Sequence, residues 1–284
     1  MDTIAASVIG ARHLRIARNG QDAAAAASGR GWAAAAVCDG CSAGAYSEVG
    51  ARLGATLVVA ALARRLAGDH AFVGHERTAA GESIRVAERT AAGESMRELW
   101  AEVQADVVAA FATLADRMGP DRVQTVVDHF LFTIVAVAAT RDATSVFAIG
   151  DGAYSFGETT RVLGPFADNQ PPYLGYALLG DTPAAHIETA PADARIVAIA
   201  TDGAVDLRGG LAAYAQPRYL EHADRARREL AVLARGREII DWDERRVTRS
   251  AELQDDCAIA VVRVPCAERR PARADGANEP RGES

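Results

Sequence analysis

The stretch Val37-Cys38-Asp39-Gly40-Cys41-Ser42-Ala43-Gly44 holds the pattern from which the fold and chemistry of this chain are predicted. The apolar run Trp32 to Val37 is typical of a buried strand, and Tyr46 to Leu66 carries apolar residues at helical spacing. Asp39 is therefore predicted to lie where a strand ends and a turn of small residues leads into a helix. Gly40 allows another group to approach the backbone closely. A carboxylate held at such a point suits a hard cation, which prefers carboxylate and carbonyl oxygens.

The combination of an apolar run and an aspartate recurs along the chain. Gly150-Asp151-Gly152 and Thr201-Asp202-Gly203 each follow an apolar run, and Asp255-Asp256 directly precedes one. We interpret these aspartates, together with Asp39, as carboxylates gathered at one edge of a sheet. Because close like charges repel unless they are neutralised, this cluster predicts a site for divalent cations.

Five short motifs rich in Asp and Gly follow one another along the chain: Asn19-Gly20-Gln21-Asp22, Val37 to Gly40, Ile149 to Tyr154, Ala200 to Gly203 and Asp255 to Ile259. In this order they resemble the motifs of the metal-dependent type 2C serine/threonine protein phosphatases. No single motif is specific, whereas the ordered set is. The resemblance extends from about Ser7 to Val264 and is closest to the bacterial branch, which has Gln-Asp where better-known members have Glu-Asp.

This resemblance implies an α+β fold, a four-layer αββα sandwich in which two stacked antiparallel sheets are flanked by helices. It also implies a binuclear site for Mn²⁺ or Mg²⁺, with a looser third ion. The metal ligands implied are Asp39, the Gly40 carbonyl, Asp151, Asp202, Asp256 and Gln21, the last as a weak ligand or through water.

The reaction implied is the hydrolysis of phosphoserine and phosphothreonine in proteins by a metal-activated water. Asp39 and Asp22 are the catalytic residues that the resemblance implies. Asp39 would bridge two ions, and Asp22 would orient their waters. Gln21 stands where the family has its usual glutamate, and an amide is a neutral and weaker ligand for a hard cation.

The substrate phosphate is expected to contact a basic side chain near the first motif. In the family, an arginine four residues before the Glu-Asp pair binds phosphate, and that position here is Ala17. Arg18, Arg15 and His13 are the candidates to replace it, since guanidinium groups bind phosphate oxygens well. Alternatively, all three are solvated residues on an edge strand. The loss of arginine at 17, with Gln21, favours an alternative function, a phosphoprotein-binding regulator with the same fold and weakened catalysis.

Four cysteines are too few and too scattered for a disulfide framework. Cys38 and Cys41 form a Cys-x-x-Cys pair, which would suit a redox motif or half of a zinc site. Cys257 and Cys266 do not repeat that spacing, so the second half of a zinc site is missing. A metal or redox module without enzymatic activity is thus a third interpretation, which the aspartate motifs disfavour. We prefer small residues filling a tight turn.

Length and composition predict one domain over 1–265, which the resemblance implies is phosphatase-like, and a disordered tail over 266–284. Glu76 to Ser83 recurs identically as Glu88 to Ser95, so we interpret about 71–95 as a polar insertion. The net charge of −7 argues against nucleic acid as a partner. With no membrane-length apolar stretch and no leader pattern, we expect a cytoplasmic protein without a membrane partner. Its expected partner is a phosphoprotein made by a Ser/Thr kinase.

Periodicity and turn residues predict the remaining elements. They are a hairpin over Ala23 to Ala36, helices over Met96 to Met118 and Tyr219 to Arg235, a strand over Phe130 to Ala139, and a hairpin partner over Ala143 to Phe156 with Asp151-Gly152 at its turn. Pro165 to Pro183 is interpreted as a long loop that serves as a substrate-facing flap.

Overall fold

Two five-stranded antiparallel sheets form the centre of the molecule. The computed structural model describes residues 2–68, 82–205 and 207–265, with the backbone alone over 82–93 and at 169 and 249. In spatial order, the first sheet contains β1 (Thr3–Val8), β12 (Cys257–Arg263), β9 (Ile196–Ala200), β6 (Gly152–Phe156) and β7 (Thr159–Leu163). The second contains β2 (Asp22–Gly29), β3 (Trp32–Gly40), β4 (Phe132–Thr140), β5 (Thr144–Ile149) and β8 (His186–Thr189). A separate hairpin is formed by β10 (Arg237–Asp241) and β11 (Arg246–Ser250).

Helices cover the outer faces of both sheets, which completes four layers. The helices are α1 (Ala11–Ile16), α2 (Ser47–Gly68), α3 (Glu82–Met118), α4 (Arg122–His129), α5 (Pro217–Glu221) and α6 (Arg225–Arg235). Side chains of α2, α3 and α4 pack on the second sheet, and those of α5 and α6 pack on the first. The predicted αββα sandwich is confirmed. Among the helices in the described part of the chain, none is both long enough and apolar enough to cross a bilayer.

The strand β3 shows how the sequence produces these layers. Ala34, Ala36 and Cys38 belong to the core beneath the helices, whereas Ala33, Ala35 and Val37 belong to the core between the sheets. Successive side chains of a strand point to opposite faces, so a strand covered on both sides must be continuously apolar. By the same alternation, Asp39 follows Val37 on the face between the sheets.

Three predicted elements are corrected by the structure. The helix expected from Met96 begins at Glu82, so the second repeat copy is helical; most of the first copy and the predicted tail lie outside the described residues. The helix predicted over Tyr219 to Arg235 is two helices, because His222 is extended and ends α5. The basic segment containing His13 forms the helix α1 rather than an edge strand.

The hairpin predicted with Asp151-Gly152 at its turn is also wrong. Although β5 pairs with β4, the chain then leaves that sheet, and β6 pairs with β9 in the other sheet. Gly150 and Gly152 have φ of +93° and +128°, a conformation that residues with side chains rarely adopt. A Gly-Asp-Gly sequence suits a tight turn and a crossing between sheets equally well. The crossing brings Asp151 to the end of the sandwich.

Candidate active site

A row of polar side chains crosses the second sheet at one end. Asp22 on β2 is opposite Asp39 on β3, and Asp39 is opposite Thr133 on β4. Residues two positions along these strands, such as Val37 and Val135, lie in the core between the sheets. The three polar side chains therefore lie on that same face, at the point where the apolar core between the sheets ends.

The remaining aspartates reach this place from the first sheet or from the crossing. Asp151 lies between β5 and β6, Asp202 follows β9, and Asp256 precedes β12. Burial raises the pKa of Asp39, and the charges of Asp22, Asp202 and Asp151 raise it further, as expected of neighbouring carboxylates. The aspartates thus gather at one end of the sandwich from both sheets, and not at one edge of a single sheet as the sequence suggested.

Asp22 links the two sheets at this end. The Thr201 hydroxyl donates to Asp22 Oδ2 at 2.5 Å, and the backbone N–H of Ala258 donates to the Thr201 hydroxyl at 2.9 Å. Burial raises the pKa of Asp22 to about 8, against the Thr201 hydrogen bond, and the nearby carboxylates Asp256 and Asp202 raise it further. A raised pKa means that the ionised form lacks sufficient compensation from the protein.

The surroundings of Asp39 also oppose its ionised form. Its pKa is raised well above the usual range, first by burial and then by the charge of Asp22. Burial raises the pKa of Asp151 too, although a hydrogen bond from the Thr133 side chain opposes that effect. These oxygen donors carry an excess of negative charge, which is the donor set that a hard divalent cation prefers. In the part of the chain that the structure describes, no three acidic, His or Cys side chains form a preassembled metal cage.

Asp256 accepts hydrogen bonds from the backbone on both of its carboxylate oxygens. Oδ1 accepts from the Gly10 N–H at 2.8 Å, and Oδ2 accepts from the Gln21 N–H at 2.6 Å. His13 Nδ1 also lies 2.8 Å from Oδ2. With a side chain only 3% exposed, Asp256 holds the start of α1 and the first motif in place. Its neighbour Asp255 is exposed instead.

Gln21, predicted as a weak metal ligand, contacts the loop that follows Asp39. Its Nε2 donates to the Cys41 carbonyl at 3.1 Å and lies 2.5 Å from the hydroxyl of the buried Ser47. The loop is tight, since a Cβ at Gly40 would stand 2.8 Å from Ser47 Oγ. The side chain of Gln21 therefore fixes the turn that carries the Gly40 carbonyl.

The structure separates the three candidate phosphate-binding residues. Arg18 Nη2 donates to the carbonyls of Ser42 and Gly44 at 3.2 and 3.3 Å, so it lies on the loop after Asp39. The Arg15 guanidinium instead donates to Ala11 and Gln254, and His13 contacts Asp256. Of these three residues, Arg18 is the one whose hydrogen bonds described here reach the loop that follows Asp39.

Sequence reasoning missed three residues at this site. Thr133 and Thr201 bind Asp151 and Asp22, and Tyr173 has its pKa raised by burial, by Cys41 and by the charges of Asp151 and Asp39. The one signal for Thr133 was a single hydroxyl in an otherwise apolar run. Tyr173 comes from the loop predicted as a flap, where the buried Leu174 and Leu178 pack into the core beneath the helices. That anchorage fixes Tyr173 beside the aspartates.

Two buried thiols match the simplest interpretation of the cysteines. Cys38 and Cys257 face the two helix layers, on the opposite sides of their strands from Asp39 and Asp256. Burial raises the pKa of both thiols, which disfavours the reactive thiolate. Cys41 is partly exposed and free.

The structure is a four-layer sandwich whose two sheets end in a cluster of aspartates. This is the architecture of the phosphatase 2C fold. The family model for protein phosphatase 2C matches residues 9–234, and the chain belongs to this family. Members of this family are metal-dependent serine/threonine phosphatases. A search of curated proteins found no match.

Solved structures agree with this assignment at the level of the fold. The S. agalactiae serine/threonine phosphatase is 13% identical, with a TM-score of 0.51, and the alignment covers 92% of this chain and 98% of that one. Serine-threonine phosphatase 2C from Toxoplasma gondii is 11% identical, with a TM-score of 0.52 and coverage of 92% and 94%. PppA, a regulatory component of T6SS in Pseudomonas aeruginosa, is 16% identical, with a TM-score of 0.52 and coverage of 92% and 96%.

Proposed function

We propose that the protein is an active metal-dependent phosphatase that hydrolyses phosphoserine and phosphothreonine in proteins. The observation that carries the proposal is the gathering of Asp39, Asp22, Asp151 and Asp202 at one end of the sandwich, where burial and the charges of the other three carboxylates raise the pKa of Asp39. A cluster of this kind is stable in ionised form only when positive charge is added. Family membership gives the reason to identify that charge as Mn²⁺ or Mg²⁺.

Asp39, Asp151, Asp202 and the Gly40 carbonyl are the oxygen donors that we assign to the cations, two of them with a looser third. When bound, the cations would supply a hydroxide nucleophile near neutral pH and offset the charge on the phosphoryl oxygens. We assign Asp256 to positioning, since Gly10 and Gln21 already donate to it. Gln21 would fix the Gly40 carbonyl through its bonds to Cys41 and Ser47.

The remaining roles fall to residues beside the cluster. Asp22, oriented by Thr201, would accept hydrogen bonds from waters of the site and hold them toward the substrate. Arg18 would bind the phosphate by turning from the Ser42 and Gly44 carbonyls toward the substrate, because a guanidinium binds phosphate with two parallel hydrogen bonds. The substrate would be a phosphoprotein made by a Ser/Thr kinase.

A second candidate function is a phosphoprotein-binding regulator with weakened catalysis. Two observations favour it. Asp256 and Gln21 both make hydrogen bonds within the protein, and Ala17 stands at the family's phosphate-binding position. Such a protein would bind phosphopeptides without releasing phosphate. Retention of Asp39, Asp151 and Asp202 favours the enzyme.

Hydrolysis of p-nitrophenyl phosphate distinguishes the two functions. The protein is stripped with a chelator and assayed with and without Mn²⁺, beside Asp39→Asn and the exposed control Asp255→Asn. We expect hydrolysis only with Mn²⁺. Hydrolysis should be lost in Asp39→Asn and retained in the control Asp255→Asn. Phosphopeptide binding without hydrolysis at any Mn²⁺ concentration would support the regulator and contradict the enzyme.

A further inference from the structure

The hairpin of β10 and β11 stands apart from both central sheets. In the described part of the chain, β10 pairs only with β11. Ile239 and Ile240 are neighbours and so point to opposite faces, yet both are exposed, as is Val247. Trp242, directly after β10, is 80% exposed. Two-stranded hairpins are marginally stable alone, and exposed apolar groups at an open strand edge mark sites of association.

We infer that β10 pairs antiparallel with β10 of a second copy of this chain, joining two hairpins into a four-stranded sheet. A two-fold axis through Ile239 pairs each Ile239 with its counterpart. It also places Arg237 of one copy opposite Asp241 of the other, twice. Opposite charges in cross-strand pairs stabilise a sheet, and main-chain hydrogen bonds of an added strand supply affinity.

Charge also decides which edge of the hairpin pairs with itself. The strand β11 contains no acidic residue, so pairing β11 with itself would bring no opposite charges together across the two-fold axis. On β10, Arg237 is balanced by Glu238 and Asp241. Pairing β10 with β11 of another copy would leave free edges and extend into a filament, whereas β10 with itself closes a dimer.

Asp241 is held at the end of β10 in a way that keeps its position fixed. Its Oδ1 accepts the backbone N–H groups of Asp243 and Glu244 at 3.1 and 2.9 Å. Replacing Asp241 would therefore disturb the turn of the hairpin itself. The pairing is better tested by substituting Arg237 and Ile239, which are both exposed.

The test is sedimentation of the full chain over a concentration range up to about 0.1 mM, where contacts of micromolar affinity are populated. We expect the mass to rise from 29.8 kDa toward twice that value. Ile239→Lys, which places two positive charges at the two-fold axis, should weaken the dimer about tenfold or more. Arg237→Glu, which faces Asp241 with a like charge, should weaken it as well.

Val162→Lys is the matched control, since Val162 is an exposed apolar residue on β7, an edge strand of the first sheet. Iodide quenching of tryptophan fluorescence reports the contact independently, because Trp32 and Trp100 are buried and Trp242 is not. Quenching should fall as the dimer forms. A circular dichroism melt confirms that each variant is folded.

The inference is overturned if the wild-type protein remains at 29.8 kDa throughout, which would leave the hairpin to a different partner. It is equally overturned if Val162→Lys weakens the dimer as much as Ile239→Lys does. Neither result bears on phosphatase activity.

Discussion

At the scale of single residues, Asp256 is expected to matter for stability. In Asp256→Asn, an amide nitrogen would replace one of the oxygens that accept from Gly10 and Gln21, leaving a buried N–H without an acceptor. We expect the free energy of unfolding of the metal-free protein to fall by about 1–3 kcal/mol in a urea titration. The exposed Asp255→Asn should change it by less than about 0.5 kcal/mol. Equal effects of the two substitutions would refute the positioning role.

Gln21 gives a second residue-level prediction. In Gln21→Glu a carboxylate would face the Cys41 carbonyl, to which it cannot donate, so the turn after Asp39 loses a hydrogen bond. The metal-free variant should be less stable by about 1–2 kcal/mol in urea. Gln170→Glu, at an exposed glutamine, is the control. Unchanged stability of Gln21→Glu would mean that the side chain does not anchor the loop.

Asp22 and Asp39 predict how the stability of the metal-free protein depends on pH. Burial raises the pKa of both, to about 8 for Asp22, whereas both lose protons near pH 4 in the unfolded chain. Between these values the folded state binds more protons, so stability decreases as pH rises. Urea unfolding with chelator should therefore show lower stability at about pH 8 than at about pH 5. Asp22→Asn should reduce the difference, and a steeper difference in that variant would contradict the assignment.

The residues that sequence identified and those that it missed differ in kind. Asp39, Asp151 and Asp202 could be identified because an aspartate at the end of an apolar run can be recognised from the sequence alone. The partners Thr133 and Thr201 could not, since each binds a carboxylate brought from a distant segment. The hydrogen bonds of Asp256 were equally hidden, because they join it to Gly10 and Gln21 across most of the chain.

At the scale of elements, strongly periodic segments were predictable and ambiguous turns were not. The helix after Gly44 and the hairpin of β2 and β3 were predicted and occur as expected. The sequence around Asp151 failed as a hairpin, because Gly150 and Gly152 let the chain cross between sheets. The start of α3 was placed too late, because the polar repeat before Met96 has no apolar stripe by which to recognise a helix.

The repeat provides the prediction that belongs to this scale. From Met96 onward α3 buries Met96, Trp100 and Val103. Deleting residues 76–87 removes one 12-residue period and leaves the identical second copy before Met96. We expect hydrolysis of p-nitrophenyl phosphate to be unchanged and the melting temperature to shift by less than about 2 °C.

A deletion of the same length over 97–108, within the buried part of α3, is the control and should prevent folding. If the first deletion also prevented folding, or lowered the melting temperature by clearly more than about 2 °C, the repeat would belong to the core. The interpretation of 71–95 as an insertion would then be wrong.

At the scale of the whole molecule, the fold places its carboxylates where the apolar core between the two sheets ends. Alanine and valine on β3 and β4 fill the space between the sheets, and the next inward positions are Asp39 and Thr133. The first sheet adds Asp202 and Asp256 at the ends of β9 and β12. Neither sheet alone could assemble the cluster, so the site depends on the stacking of both.

The central claim is that this cluster makes the protein a metal-dependent phosphatase. The most direct measurement is phosphate release from a phosphothreonine peptide by chelator-stripped protein as Mn²⁺ is added, with Asp39→Asn measured in parallel. The account predicts a rate that rises with Mn²⁺ to saturation in the wild-type protein and stays at background in a folded Asp39→Asn variant. Release that persists in excess chelator, or that is equally fast in Asp39→Asn, would contradict it.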